Sequence, residues 1–278
     1  MEILIFGAGL VGSALGELAG PRAVVTTSRD ADIRSPEQVR ALVKQHAPRW
    51  IVLSAAISNV DQCERNPQAA REVNIGGARN VAEAARDAGA RLIFLSTDYV
   101  FDGTASVPYE VDSPRRGINV YAGTKVAAED EVRSVLPGAV IARTSWVFGI
   151  HRKCFGTEVL QAADAEVAVV TDKFNCPTYN RDLAHQLLGL IDRNASGVFH
   201  CCNRGEANML DLADALVKEA GIRDARLKPT TLTARYSTPR PLYTPMSVTS
   251  LEKIGIPVRH WREAVPEFVA EMKKQQSL

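Results

Sequence analysis

Near its amino terminus the chain carries the stretch Ile3-Leu4-Ile5-Phe6-Gly7-Ala8-Gly9-Leu10-Val11-Gly12, an apolar run that leads into a glycine-rich turn. A helical pattern follows through Leu18, so the order is strand, G-x-G-x-x-G and helix, as a dinucleotide-binding turn requires. The first glycine permits the tight turn, the second lets a pyrophosphate approach the backbone, and the third lets the helix pack close to the strand. We therefore expect Gly7–Gly12 to bind the pyrophosphate of a cofactor; an ordinary glycine-rich strand–helix turn is the alternative.

The end of the second strand distinguishes NAD from NADP, because the adenine ribose lies there in dinucleotide-binding folds. Ala23–Thr27 is β-branched and predicts this strand, and Ser28-Arg29-Asp30 follows it. A basic residue accommodates the 2′-phosphate of NADP, whereas an acid hydrogen-bonds the ribose hydroxyls of NAD. Ser28 and Arg29 favour NADP(H) as cofactor, and Asp30 keeps NAD(H) as the alternative.

Strands and helices alternate through the first half of the chain. The remaining strands are predicted at Glu2–Phe6, Trp50–Ala55, Arg91–Thr97 and Ala139–Thr144. Helices are predicted at Pro36–His46 with Ser35 as N-cap, at Asn66–Ala88 and at Tyr121–Val135. Strands separated by helices at this spacing imply right-handed βαβ units. The fold class is therefore α/β, a doubly wound parallel sheet (Rossmann fold).

The alternation weakens after about Trp146. Apolar segments remain at Glu166–Thr171, Val198–Cys202 and Met209–Gly221, while prolines accumulate between residues 228 and 245. We expect residues 1–150 to form a dinucleotide-binding domain. Residues 151–278 are expected to form a smaller C-terminal substrate-binding region, in which part of the chain returns to the sheet.

Composition excludes several classes of partner. Of the 278 residues, 46% are hydrophobic and 23% charged, as in ordinary globular proteins. The formal net charge of +1 gives no field that attracts nucleic acid or an anionic membrane, and no apolar run approaches the roughly 20 residues that span a bilayer. The run Ile3–Phe6 follows Glu2 and is too short for a signal sequence. We expect a cytoplasmic protein that binds neither nucleic acid nor membrane.

The cysteines form an odd set without C-x-x-C spacing, which indicates reduced thiols. They are Cys63, Cys154, Cys176, Cys201 and Cys202. Only His200 beside Cys201 and Cys202 brings possible metal ligands together, and buried structural residues at a strand end are the preferred interpretation. We therefore expect no metal site.

A catalytic group is predicted where Tyr121 opens the helix after the fourth strand. Lys125 follows four residues later and lies on the same helix face. A cation near a phenol lowers the phenol pKa from about 10 by favouring the phenolate. The lysine can also reach the nicotinamide ribose, and Thr97 at the preceding strand end can donate a hydrogen bond to a substrate carbonyl oxygen. Together the three side chains are predicted to stabilise the oxyanion that forms as a hydride arrives.

The sequence resembles the extended short-chain dehydrogenases, and within them the dTDP-4-dehydrorhamnose reductases. The main motifs that carry the resemblance are Ser96–Gly103 (STDYVFDG), Asn119–Lys125 (NVYAGTK) and Arg143–Val147 (RTSWV). Shorter matches are Ala55-Ala56, Val60-Asp61, Asp172–Phe174, Pro177-Thr178 and Arg240-Pro241. The matches run over nearly the whole chain in the expected order.

The resemblance implies a role for each matching position. Thr97, Tyr121 and Lys125 would be the catalytic residues, and Tyr121 and Lys125 would also contact the cofactor. Further cofactor contacts would come from Gly7, Gly9, Leu10, Val11, Gly12, Asp32, Ile33, Ala55 and Ala56, with Asp32-Ile33 beside the adenine. Trp146 and Arg240, together with Thr97, would contact a nucleotide-sugar substrate. Asn74 would shape the site, or alternatively be a helix-buried amide bonded to the backbone.

The resemblance implies reduction of the 4-keto group of a nucleotide-activated deoxysugar, with hydride from the nicotinamide and a proton from Tyr121. Nucleotide-sugar 4,6-dehydratases look similar but follow the threonine with Asp-Glu, because they must move protons at C5 and C6. Here Asp98 is followed by Tyr99, so the second acid is missing. Reductase is therefore preferred over dehydratase.

Three departures from the family pattern leave the substrate open. The glycine turn is one residue shorter than the usual G-x-x-G-x-x-G, and segments 172–178 and 242–247 differ on the substrate side. A different sugar or another 4-keto compound is therefore an alternative. The basic run His151-Arg152-Lys153 would meet the phosphates of a nucleotide substrate, or be a solvated loop.

Two further functions stay open. A non-catalytic NADP-binding protein, similar to the regulatory subunit of methionine adenosyltransferase, would keep the same residues and show no turnover. A nucleotide-sugar epimerase is the other alternative. A homodimer is left open as well, since no apolar stripe in the sequence identifies an interface.

Overall fold

A computed structural model describes residues 2–162 and 165–276 of the chain. The strands within these residues are β1 (Ile3–Phe6), β2 (Ala23–Thr26), β3 (Trp50–Leu53), β4 (Arg91–Thr97), β5 (Val140–Thr144), β6 (Val147–Phe148), β7 (Glu166–Val170), β8 (Thr178–Tyr179), β9 (Gly197–His200) and β10 (Arg226–Thr230). The helices are α1 (Leu10–Ala19), α2 (Pro36–His46), α3 (Val60–Arg65), α4 (Pro67–Arg71), α5 (Gly77–Asp87), α6 (Val120–Val135), α7 (Phe155–Gln161), α8 (Asn180–Asp192), α9 (Met209–Ala220), α10 (Leu232–Arg235), α11 (Thr249–Glu252) and α12 (Trp261–Gln276).

Six strands form one parallel sheet in the order β2-β1-β3-β4-β5-β9. Successive side chains of β1 point to opposite faces, so Ile3 and Ile5 belong to one core and Leu4 and Phe6 to the other. Helices α1 and α8 cover the first face, and α2, α5 and α6 cover the second. The predicted α/β fold with a doubly wound parallel sheet is confirmed.

The chain direction across the sheet reverses at β1, because β2 lies on one side of it and β3 on the other. Loops after the carboxyl ends of β1 and β3 therefore leave on opposite faces and open a crevice, which is where ligands bind in such sheets. The Ala55 amide closes the base of this crevice by donating to the Phe6 carbonyl at 2.8 Å.

One predicted helix is interrupted, and one strand of the sheet comes from the second half of the chain. The helix expected over Asn66–Ala88 is interrupted between α4 and α5 by a π turn at Glu72–Gly76, which widens the helix around the buried Asn74. The sixth strand, β9, lies far along the chain at Gly197–His200 and pairs with β5, so the second half of the chain returns to the sheet. The division at residue 150 stays a prediction.

The remaining carboxy-terminal elements build a separate apolar cluster. Phe148, Tyr179 and Phe268 stack edge to face or in parallel, with ring centroids 5.2 to 6.3 Å apart. Helices α7, α9 and α12 contribute to this cluster, and β7 and β10 pair beside it. Among the described residues, no helix combines the length and apolar character that a membrane span requires.

Candidate active site

The backbone of the glycine turn shows what glycine provides at each of its three positions. Gly7 has a φ of 111°, a conformation that side-chain-bearing residues rarely adopt. A Cβ atom on Gly12 would lie 1.8 Å from the Gly7 carbonyl oxygen, so α1 can pack this close to β1 only with glycine there. Around Gly9 the nearest atom to such a Cβ is Nη1 of Arg152, at 3.9 Å, which leaves room above the amino end of α1. This turn fits a pyrophosphate.

At the end of β2, Asp30 and Arg29, the groups expected to recognise NAD and NADP respectively, differ in whether the protein already engages them. Oδ2 of Asp30 accepts hydrogen bonds from the Thr27 amide at 2.7 Å and from the Thr27 hydroxyl at 2.9 Å, so this carboxylate caps its own turn. Ser28 and Arg29 are exposed, and within the described residues the Arg29 guanidinium makes no ion pair or hydrogen bond. Arg29 is thus the charged group at this strand end that remains available to a 2′-phosphate.

The other residues expected around the cofactor differ in exposure. Asp32 is held by Arg34, whose guanidinium lies 2.5 Å from its carboxylate and lowers its pKa. Ile33 is buried against Gly77 and belongs to the core. Ala55 and Ala56 lie just past β3 and are half-buried and exposed, respectively. Leu10 is half-buried at the start of α1, and Val11 is buried in the core.

Helix α6 positions the predicted catalytic pair. Asn119 caps it, since its side chain accepts a hydrogen bond from the Ala122 amide at 2.8 Å, and the helix therefore begins immediately before Tyr121. One turn later the Lys125 ammonium donates to the Leu95 carbonyl at 2.7 Å and lies 3.9 Å over the ring of Phe94. Burial lowers the pKa of Lys125 to about 7.

The Tyr121 phenol lies beside two residues from the end of β4. Its ring packs edge-on against Tyr99 with centroids 5.8 Å apart, and the Thr97 side chain lies close enough to affect the pKa of the phenol. Burial raises the pKa of Tyr121, and the neighbouring Thr97 side chain opposes that rise only in part. The lowering that the sequence led us to expect from Lys125 is not found, since desolvation of the phenolate dominates and Lys125 is not among the groups that shift this pKa.

A buried carboxylate holds Thr97 in place. Oδ1 of Asp98 accepts the Thr97 hydroxyl at 3.0 Å, and Oδ2 accepts the hydroxyls of Ser145 at 3.0 Å and Thr244 at 2.6 Å. Because a hydroxyl carries one proton, Thr97 must turn away from Asp98 in order to donate to a substrate oxygen. Sequence reasoning used Asp98 only to exclude a dehydratase, and nothing in the sequence links it to Thr244, 146 residues away.

A buried ion pair lies one helical turn below Lys125. Glu129 accepts two hydrogen bonds from Arg143 of β5, at 2.8 and 3.0 Å, and one from Ser96 of β4 at 2.6 Å. The side chains of Glu129 and Arg143 are at most 2% exposed. Tyr121, Lys125 and Glu129 share one helix face, so this ion pair fixes the catalytic helix to the two strands at the site. In the sequence, the position of Glu129 was indicated by its spacing, because it follows Lys125 by four residues just as Lys125 follows Tyr121.

Asn74 serves both interpretations offered from the sequence. Its amide pairs with the backbone of Ile57 through both the carbonyl, at 3.0 Å, and the N–H, at 2.8 Å. It also donates to the Thr124 hydroxyl at 3.0 Å, next to Lys125 on the catalytic helix. The π turn thus brings a helix-buried amide into contact with both the loop after β3 and helix α6.

A cavity of about 320 Å³ opens between the end of β4 and the carboxy-terminal elements. Its aromatic lining residues are Tyr99, Trp146, Phe155 and Tyr236, and its charged ones are Glu158, Lys173, Arg235 and Arg240. Trp146 has a φ of 37°, a strained conformation for a bulky residue and one that concentrates at binding sites. Arg240 is paired with Asp61 at 2.9 Å and lies 3.8 Å over the Tyr236 ring. Trp146 and Arg240, named from the resemblance, line this same cavity.

The basic run His151-Arg152-Lys153 lies at the glycine turn rather than at this cavity. His151 is held between Asn180 of α8, at 2.8 Å, and Glu17 of α1, at 2.9 Å. That anchor places Arg152 over Gly9. His151 and Arg152 therefore lie at the turn predicted to bind the cofactor pyrophosphate, and the cavity lining does not include them, so their position does not favour a contact with substrate phosphates. Within the described residues no group of His, Cys, Asp and Glu could hold a metal ion.

Comparison with known proteins extends over nearly the whole chain. A family model described as RmlD substrate binding domain matches residues 1–274. The dTDP-4-keto-6-deoxy-D-glucose reductase of Streptomyces niveus is 38% identical in an alignment of length 249 that covers 88% of this chain and 86% of that protein. The dTDP-4-dehydrorhamnose reductase of Mycolicibacterium smegmatis is 36% identical in an alignment of length 280 that covers 97% of this chain and 85% of that protein.

A solved structure matches equally broadly. The crystal structure of the dTDP-4-dehydrorhamnose reductase of Bacillus anthracis in complex with NADP aligns with a TM-score of 0.93 at 30% identity. The alignment covers 98% of this chain and 100% of that one. The resemblance drawn from the motifs is therefore confirmed at the level of family and fold.

Proposed function

Since the chain belongs to the RmlD substrate binding domain family, we propose that it uses NADPH and Tyr121 to reduce the 4-keto group of a dTDP-activated deoxysugar. The chain is an oxidoreductase that acts on a ketone group of a nucleotide sugar. The observation that carries the proposal is the position of the Tyr121 phenol. It lies next to Thr97 at the end of β4, packs against Tyr99 of the cavity wall, and shares a helix face with Lys125.

The residues present fit a dinucleotide. Gly9 leaves open space above the amino end of α1, Arg152 lies beside that space, and the Arg29 guanidinium is available at the end of β2. When bound, the cofactor supplies the hydride that reduces the ketone. NADP(H) is the preferred form in this proposal, because Asp30 is engaged by Thr27 while Arg29 is available to a 2′-phosphate.

Tyr121 is the proton donor in this mechanism. Burial holds its proton in place at neutral pH, so the phenol releases it only to the strongly basic oxygen that forms as the carbonyl is reduced. Thr97 turns from Asp98 to the same oxygen, and Lys125 binds the ribose and counters the phenolate that remains. Asp98, Asn74 and Glu129 position these three groups through hydrogen bonds.

The cavity residues Trp146 and Arg240 are proposed to contact the nucleotide sugar. A cytoplasmic location belongs to the same proposal, since the cysteines in the described part of the chain are free thiols.

The test is NADPH oxidation with two substrates in parallel, dTDP-4-dehydrorhamnose and dTDP-4-keto-6-deoxy-D-glucose, repeated with NADH. We expect turnover of at least one sugar and a higher kcat/KM for NADPH than for NADH. Tight NADPH binding without turnover of either sugar would contradict the proposal and favour a non-catalytic regulatory protein. Interconversion of sugar epimers without net NADPH oxidation would identify an epimerase.

A further inference from the structure

Among the described residues, the wall of the substrate cavity contains a lysine whose ammonium has no hydrogen-bond partner. Arg240 is paired with Asp61, and Arg235 donates to the Ala168 carbonyl at 2.6 Å. The Lys173 ammonium is buried, and within the described residues it makes no hydrogen bond. It lies 5.1 Å from the centroid of the Tyr99 ring, the aromatic side chain that packs on Tyr121.

The nearby carboxylate of Asp98 does not satisfy Lys173. Both of its oxygens already accept hydrogen bonds from hydroxyl groups, those of Thr97, Ser145 and Thr244. Burial lowers the pKa of Lys173, and the charge of Asp98 opposes this without providing a hydrogen bond. A buried ammonium with unmade hydrogen bonds is costly, so its environment favours any ligand group that can complete them.

The charge of the cavity indicates which group that is. Its charged lining residues are three cations, Lys173, Arg235 and Arg240, and one carboxylate, Glu158. Neutral sugar hydroxyls would accept a hydrogen bond but would not compensate a buried positive charge, whereas a diphosphate does both. We propose that Lys173 binds the diphosphate of the nucleotide-sugar substrate, moving from its place over Tyr99 to that group as the substrate enters. This inference rests on the proposed function, because it takes its ligand from the same cavity.

The position of Lys173 suits this role. In a pyranose, the carbon that bears the diphosphate lies across the ring from the C4 carbonyl. The Tyr99 ring contacts both Tyr121, at the proposed carbonyl end, and Lys173. The four-carbon stem of a lysine is flexible enough to carry its ammonium out of this resting place into the adjoining cavity. Lys173 is thus a specificity-determining residue that separates nucleoside diphosphates from nucleosides.

The test is calorimetric titration of dTDP and of thymidine into the NADP⁺-saturated protein, in which the cofactor pyrophosphate site is filled. Lys173→Met is expected to raise the Kd of dTDP roughly 10- to 100-fold while the Kd of thymidine changes less than about twofold. Lys173→Arg, which keeps the charge, is expected to retain most of the affinity for dTDP. The matched control is Lys228→Met, which removes a lysine that is 64% exposed and paired with Glu166 on the surface.

Three results would overturn the inference. They are an unchanged Kd of dTDP in Lys173→Met, an equal loss of dTDP and thymidine binding, and wild-type protein that binds dTDP no more tightly than thymidine. If Lys173→Met fails to bind NADP⁺, Lys173→Gln replaces it in the same titrations with the same expected result. If the wild type turns over the keto sugar and Lys173→Met still binds dTDP as tightly, the role of Lys173 is contradicted but the proposed reaction is not. If the wild type shows no turnover but dTDP binding depends on Lys173, the proposed reaction is contradicted but the role of Lys173 is not.

Discussion

At the scale of single residues, the chemistry depends on how burial changes the two ionisable groups of helix α6. Burial favours the neutral form of each, which raises the pKa of the Tyr121 phenol and lowers the pKa of the Lys125 ammonium to about 7. Tyr121 therefore keeps its proton for donation, while Lys125 is close to losing its own at neutral pH. Across the physiological pH range Tyr121 is available as a proton donor, whereas Lys125 is mostly a cation only in the lower part of that range.

A pH profile follows from the lowered pKa of Lys125. The ammonium form, which is needed to bind the ribose, predominates below about pH 7, so we predict that kcat/KM for NADPH falls as pH rises through about 7. In Lys125→Arg the cation persists across this range, and the decline is expected to vanish even though the absolute rate is lower. A wild-type profile that is flat from pH 6 to 9 would contradict the role assigned to Lys125.

The same shift has a consequence for stability. The pKa of Lys125 is lower in the folded protein than the usual lysine value of 10.5. Burial of the charge therefore costs stability in full below about pH 7, and the cost is relieved as pH rises from there towards the pKa of the unfolded lysine. The contribution of Lys125 thus makes the protein more stable, and less active, with rising pH.

At the scale of elements, helix α6 is held by a charge pair rather than by packing alone. Glu129 joins it to Arg143 of β5 and Ser96 of β4 in a fully buried setting. We predict that Glu129→Gln lowers the free energy of unfolding by about 3–5 kcal/mol, because it leaves the Arg143 charge buried and uncompensated. Denaturant unfolding measures this directly.

The double variant Glu129→Leu with Arg143→Met is the control for that prediction. It removes both buried charges and is expected to be less destabilised than Glu129→Gln, since Arg115, the other cation on Glu129, keeps its ion pair with Asp130 at 2.7 Å. A double variant at least as unstable as the single one would show that shape, and not charge compensation, dominates at this position.

The loop after β6 positions Arg152 near the glycine turn. His151 ties it to α1 and α8, and this anchor places Arg152 over Gly9. We predict that Arg152→Gln raises the Kd of NADPH roughly tenfold, the value of one charge-assisted hydrogen bond to phosphate. The matched control is Lys153→Gln, an exposed neighbour in the same basic run. Equal effects of the two variants on NADPH binding would contradict a specific contact from Arg152.

At the scale of the whole molecule, the sheet is completed by chain from both halves of the sequence. β9 pairs with β5 at the sheet edge, and α8 covers the same face as α1. We predict that a fragment of residues 1–150 does not fold on its own, because the edge of β5 and the apolar face of α1 would be exposed. Cooperative thermal unfolding of this fragment, followed by circular dichroism, would contradict this and support an independent domain ending at residue 150.

The features that could be predicted from the sequence are those determined by residues close together in the chain. The turn at Gly7–Gly12 and the helix face of Tyr121 and Lys125 depend on neighbours within a few residues, so both could be predicted. The contact of Asp98 with Thr244 joins residues 146 positions apart, and the position of Arg152 over Gly9 depends on an anchor to α8. Lys173 lies within the matching segment Asp172–Phe174 but received no predicted role, since a buried charge without a partner is recognisable only when its surroundings are known.

The measurement that tests the account most directly compares the wild type with Tyr121→Phe. The variant keeps the aromatic ring and its contact with Tyr99, so NADPH affinity is expected to stay within about threefold. The account predicts that kcat for the keto sugar falls roughly a hundredfold or more, the contribution of a general acid. A Tyr121→Phe protein that binds NADPH normally and reduces the sugar at a rate near that of the wild type would contradict the account.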